Sequence, residues 1–91
     1  MTTNRPALTQ RSARAIWDQQ DAVNVKTLAE WRAWGRKQKG VRNDGRSAVA
    51  YYLRQHGGTA YILGGDDTVT RCEYRRSGLF MYKPVSIHVE G

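Results

Sequence analysis

The side chains most able to do chemistry in this chain are cations. Arg32, Arg36, Lys37, Lys39, Arg42 and Arg46 are opposed over that stretch only by Asp44, which gives +5 across residues 32–46. Such a concentration attracts polyanions: nucleic acid, an acidic protein face or anionic lipid. Four of the six are Arg, whose planar fork matches phosphate oxygens and base edges. Trp34 is interleaved with them, and Arg54 and Tyr51 extend the set toward the C-terminal side. The expected contact residues are therefore Arg32, Arg36, Lys37, Lys39, Arg42, Arg46, Tyr51 and Arg54.

The charge is unevenly placed along the 91 residues. Fifteen Lys+Arg face eight Asp+Glu, a formal net charge of +7. Residues 1–58 hold 11 cations and 4 anions, whereas residues 59–91 hold 4 of each, so the whole excess lies in the first two-thirds. Phosphate contacts from such a patch position a protein on nucleic acid without reading its sequence.

Catalytic patterns are missing from the string. There is no GxxxxGK[ST], GxGxxG, GxSxG or HExxH. Gly64-Gly65-Asp66-Asp67 reads as a hairpin turn rather than a phosphate cradle, because it opens no helix and carries two negative charges. One cysteine, Cys72, and two histidines, His56 and His88, are too few soft ligands for a structural zinc site. His56 reads as a residue of a last helical turn, where a cation is favoured. His88 reads as a strand residue on a wet face. Its one chemical option is acid–base work beside Arg71, Arg75 or Tyr82. The expectation is a non-enzymatic protein with no catalytic residue, no metal and no cofactor.

Several elements must position these residues. Met1 to Leu8 reads as a loose arm, residues 9–58 as a helical part and residues 59–91 as strands, all within one domain. Helix 1 is expected from about Thr9 to Asp21, with Ala13, Ile16 and Trp17 on its buried side. Asp21 to Val25 has no clear period and reads as a connection. Thr27-Leu28-Ala29-Glu30 fits a capping box and starts a second helix that ends near Gly40. Gly35 interrupts that helix and reads as a point of close packing. A third helix is expected from Gly45 to His56, capped by Asn43, Asp44 or Ser47 and stopped by Gly57-Gly58.

From Thr59 the period changes to two. Thr59–Leu63 and Thr68–Arg76 read as strands, the second with Thr70, Cys72 and Tyr74 on one face and Arg71, Glu73 and Arg75 on the other. Leu79–Val89 reads as a third strand, broken at Pro84, which cannot donate to a ladder. The expected fold class is α+β: three N-terminal helices packed on a C-terminal three-stranded antiparallel meander. The last strand could pair across a two-fold axis in a homodimer.

Composition excludes other classes. No run of about 18 apolar residues offers a membrane span, and the polar stretch Met1–Gln10 has no signal-peptide core. With a single cysteine these features lead to the expectation of a cytoplasmic protein without a disulfide framework. Membrane-surface binding through Trp31, Trp34 and their cationic neighbours would need a longer amphipathic helix.

Three other readings accompany the nucleic-acid one. Residues 27–56 have the length of a helix-turn-helix, with Arg46, Ser47, Ala50, Tyr51 and Arg54 toward DNA and the following strands as a wing. In size, basic charge and a helical pair before an antiparallel sheet, the chain resembles ribonuclease toxins of the RelE type. That resemblance implies Arg, Tyr, Lys or His residues acting on RNA from the sheet. Those proteins begin with a strand, this chain begins with a helix, and no catalytic residue is carried over. In size and lack of enzyme motifs the chain is also similar to phage and plasmid accessory proteins, including anti-CRISPR proteins and polymerase modulators. This likeness implies occlusion of a surface on a nucleoprotein assembly.

Overall fold

The computed structural model describes residues 8–88. The chain runs α1 (Gln10–Asp18), β1 (Val25–Thr27), α2 (Leu28–Arg36), α3 (Gly45–His56), β2 (Ala60–Leu63), β3 (Thr68–Arg75), β4 (Gly78–Met81) and β5 (Val85–Ser86). The strands form one mixed sheet in the order β1-β2-β3-β4, with β5 also against β3. β1 is parallel to β2, and every other pair is antiparallel.

This corrects the expected three-helix layer on a three-stranded antiparallel meander. The segment read as a connection contains β1, whose Val25, Lys26 and Thr27 align with Tyr61, Ile62 and Leu63. The parallel pair β1/β2 is joined by a crossover through α2 and α3, as parallel neighbours require. The helices are therefore interspersed with the strands. The expected third strand is two short ones, β4 and β5, both against β3 and separated by the stretch that contains Pro84.

Both faces of the sheet are covered, by different helices. Ala60, Ile62 and Cys72 point to one face and share a core with Trp31, Ala48, Val49 and Leu53 of α2 and α3. Leu63 and Val69 point to the other and share a core with Ala13 of α1, Val25 and Ile87. Leu8, Ile16 and Trp17 close the second core, so the last residue of the expected arm is packed, while its residues 1–7 lie outside the described residues. Two-sided burial explains why Ala60–Leu63 is an unbroken apolar run rather than an alternating one.

Local chemistry fixes the helix starts. The Thr9 hydroxyl accepts from the Ser12 N–H at 3.2 Å at the head of α1. α1 ends at Asp18, one turn short of the expected Asp21. At α2 the capping box is complete: the Glu30 N–H donates to Thr27 Oγ1 at 3.1 Å, and the Thr27 N–H donates to Glu30 Oε1 at 2.9 Å. Thr27 is thus the last residue of β1 and the cap of α2. α2 ends at Arg36, so Lys37 to Asp44 form the connection to α3.

α2 and α3 approach closely at Gly35. A Cβ placed there would lie 2.7 Å from the Ala48 Cβ, inside contact distance. The turn at residues 64–67 forms as expected: the Gly64 N–H donates to the Thr68 carbonyl at 2.7 Å, and Asp67 takes φ of 60°.

Candidate nucleic-acid interface

The connection 37–44 and the outer side of α3 build a shallow groove of about 220 Å³. Its lining is Gly40, Val41, Arg42, Ser47, Ala50, Tyr51 and Arg54. Asp44 fixes where α3 begins, accepting from the Arg46 N–H at 3.3 Å and from the Ser47 hydroxyl at 3.1 Å. From that start the helical spacing sets Ser47, Ala50, Tyr51 and Arg54 side by side on the helix surface. Gly45 seats the first turn of α3 against α2, since a Cβ there would meet the Leu28 carbonyl oxygen at 2.8 Å.

The groove lining carries two guanidinium groups, a phenol and a hydroxyl, and no carboxylate. The one acid of the basic segment, Asp44, is engaged at the α3 cap. Arg42 is exposed, as are Arg36, Lys37 and Lys39, which lead from α2 into the connection. The Tyr51 ring packs against Trp34, with centroids 6.0 Å apart. The Arg54 guanidinium lies 5.9 Å from the ring of Tyr74 on β3, which ties the groove rim to the sheet. The groove lining thus combines cationic and hydroxyl donors with one aromatic ring.

The structure does not gather every expected residue here. Arg42, Tyr51 and Arg54 line the groove together. Arg32 lies in a second hollow of about 350 Å³ with Leu28, Ala29, Asn43, Asp44 and Gly45. There its Nε donates to Asn43 Oδ1 at 3.1 Å. Arg46 is exposed outside the groove lining, and its charge acts on the Cys72 thiol. Trp34 is half-buried in the α2–α3 seam, edge-on to Trp31 at 5.7 Å and to Tyr52 at 5.8 Å, so it is a packing residue. Residues 37–44 are also longer than the three- to four-residue turn of a helix-turn-helix.

Cys72 is fully buried, and burial pushes its thiol up to about 11 against a smaller downward pull from Arg46. A thiol held protonated in this way is a poor nucleophile. His56 sits on the ring of Tyr52, with centroids 4.7 Å apart, in the last turn of α3. His88 Nε2 pairs with Asp67 Oδ2 at 2.6 Å on the surface. Arg71, Arg75 and Tyr82 do come together: the Arg75 guanidinium donates to the Tyr82 hydroxyl at 3.2 Å, and Arg71 lies over the Tyr82 ring at 3.9 Å. Among the described residues, no group of three or more His, Cys, Asp or Glu could hold a metal ion. No helix among them is long and apolar enough to cross a membrane.

The chain matches no protein-family model, no curated protein and no solved structure.

Proposed function

We propose that this protein is a non-enzymatic nucleic-acid-binding module that docks through the groove between residues 37–44 and α3. The observation that supports the reading most is the composition of that groove: Arg42 and Arg54 flank Tyr51 and Ser47 with no acid among them. Arg36, Lys37 and Lys39 supply further phosphate contacts beside it, while Tyr51 offers a ring to a sugar or base. Arg46 and Arg32 extend the positive field on either side without sharing the groove. Such contacts position the protein on DNA or RNA, free or within a nucleoprotein assembly, and carry little sequence information. The lone buried thiol fits a cytoplasmic setting.

The test is a binding isotherm on duplex DNA and on RNA across salt concentrations. Neutralising about six phosphates gives a log–log slope near −5 on B-DNA. Absence of binding to either at about 50 mM salt would overturn the reading and turn the search toward an acidic protein partner.

A further inference from the structure

The charges of the described residues 59–88 are unevenly placed along β3. Asp66 and Asp67 sit in the turn before β3, whereas Arg71 lies at its middle, Arg75 at its end, Arg76 in the turn that follows and Lys83 just after β4. An eight-residue strand separates its two ends by about 25 Å. At the cationic end the sheet face opposite α2 and α3 carries Arg71, Glu73 and Arg75. Phe80 is in register with Glu73, and the Tyr82 N–H donates to the Arg71 carbonyl at 2.8 Å. α1 packs on β3 and β5, and at the β4 end Phe80 is exposed while the Arg75 side chain is 47% exposed.

Arg75 and Phe80 form a stacked plate, with Arg71 and Tyr82 beside it. The Arg75 guanidinium lies 3.7 Å above the Phe80 ring, and Arg71 lies 3.9 Å above the Tyr82 ring. The two rings meet edge to face at 4.9 Å. Glu73 pairs with both cations, Oε1 to Arg75 Nε at 3.6 Å and Oε2 to Arg71 Nη2 at 3.9 Å. One carboxylate thus anchors two guanidinium groups and leaves a positive excess. Among the described residues, Arg71 Nε is buried without a hydrogen-bond partner.

We infer that the exposed β4 end of this sheet face, beyond α1, is a second nucleic-acid site, one that takes a single-stranded segment by stacking bases on the Arg75 guanidinium that covers Phe80. A guanidinium already flattened on a ring presents its other face to an incoming base with little ordering cost. The outer side of the Arg75 guanidinium suits unpaired bases, whose π-faces are free, better than a duplex, which offers only its backbone and groove edges. Arg76 and Lys83, both exposed, complement the phosphates that accompany such bases. The inference does not rest on the α3 groove, which lies across the sheet on the helical side.

The test compares two probes on the intact protein at about 50 mM salt: fluorescein-labelled hexauridylate and a 12-base-pair DNA duplex, each read by anisotropy. Arg75→Lys keeps the charge and removes the flat plate; Phe80→Ala removes the ring beneath it at an exposed position. Both should weaken hexauridylate by roughly five- to a hundredfold and leave duplex affinity unchanged. If Phe80→Ala melts early, Arg75→Lys alone carries the result. No hexauridylate binding by the wild type, or equal binding by Arg75→Lys, overturns the inference. So does loss of hexauridylate on Arg42→Ala with Arg54→Ala but not on Arg75→Lys, which would place the strand in the groove. Hexauridylate binding that depends on Arg75, in a protein that ignores duplex, supports the plate while the duplex arm of the groove reading fails.

Discussion

The indole N–H of Trp31 donates to the backbone carbonyl of Tyr61 at 2.9 Å, a bond from the middle of α2 to the strand it covers. Trp31 is fully buried, and Tyr52 packs against its ring at 5.3 Å. One side chain thus sets the height of α2 on the sheet and supports the α2–α3 seam. Trp31→Phe keeps most of the apolar body but loses the donor, worth about 1 kcal/mol net, and leaves unfilled volume of similar cost. The expected loss is about 2 kcal/mol in urea unfolding, or roughly 10 °C in Tm. A loss below about 0.5 kcal/mol would show that the bond does not fix α2.

Gly35 and Ala48 share a space that fits one methyl group, given the 2.7 Å approach of a Cβ built at Gly35. Gly35→Ala should therefore destabilise, although Ala is the better helix former by about 1 kcal/mol. Moving the methyl across the seam, Gly35→Ala with Ala48→Gly, should recover part of the loss. A double-mutant cycle is the measurement, with an expected coupling above about 1 kcal/mol. Additive effects would mean the helices separate without cost.

What the sequence made legible was local. The Thr27–Glu30 box, the Gly45–His56 limits of α3 and the two faces of β3 depend on neighbours a few residues apart, and each stands as read. β1 is three residues long and exists by pairing with Tyr61–Leu63, so it has too little length to show a period. The stripe Ala13, Ile16 and Trp17 marked α1 as amphipathic but not which sheet face it would cover. The cationic cluster was visible, yet the path of residues 37–44 decides that Arg42 meets Arg54 while Arg32 turns to Asn43. The Arg75–Phe80 plate was within reach. Alternation on two strands around a turn at residues 76 and 77 puts residues 71, 73, 75, 80 and 82 on one face.

Cys72 makes stability depend on alkaline pH. Burial raises its folded pKa to about 11 from an ordinary 9.0. Below pH 9 the thiol is protonated in both states, and its contribution is fully present. Between pH 9 and 11 the unfolded chain releases the proton and the folded one keeps it, so stability falls as pH rises. At pH 10.5 wild type should have lost about 2 kcal/mol more, relative to pH 8, than Cys72→Ala. Urea midpoints at the two pH values measure it. Equal losses in the two proteins would remove Cys72 as the cause.

The division of the cationic patch gives a comparison at constant charge change. Arg42 and Arg54 line the groove, whereas Arg32 occupies the second hollow and is bonded to Asn43. Each alanine substitution removes one positive charge, so a purely diffuse field would respond alike to all three. Contact in the groove predicts otherwise. Arg42→Ala and Arg54→Ala should each reduce the salt slope on duplex DNA by about 1 and weaken binding evenly across sequences. Arg32→Ala should leave the slope within error and change affinity only through long-range attraction, which fades over about 8 Å at physiological salt. Tyr51→Phe should cost little if the ring alone is used, and Tyr51→Ala more, because stacking uses the ring and not the hydroxyl. A slope change on Arg32→Ala equal to that on Arg42→Ala would replace the groove with an undirected positive surface.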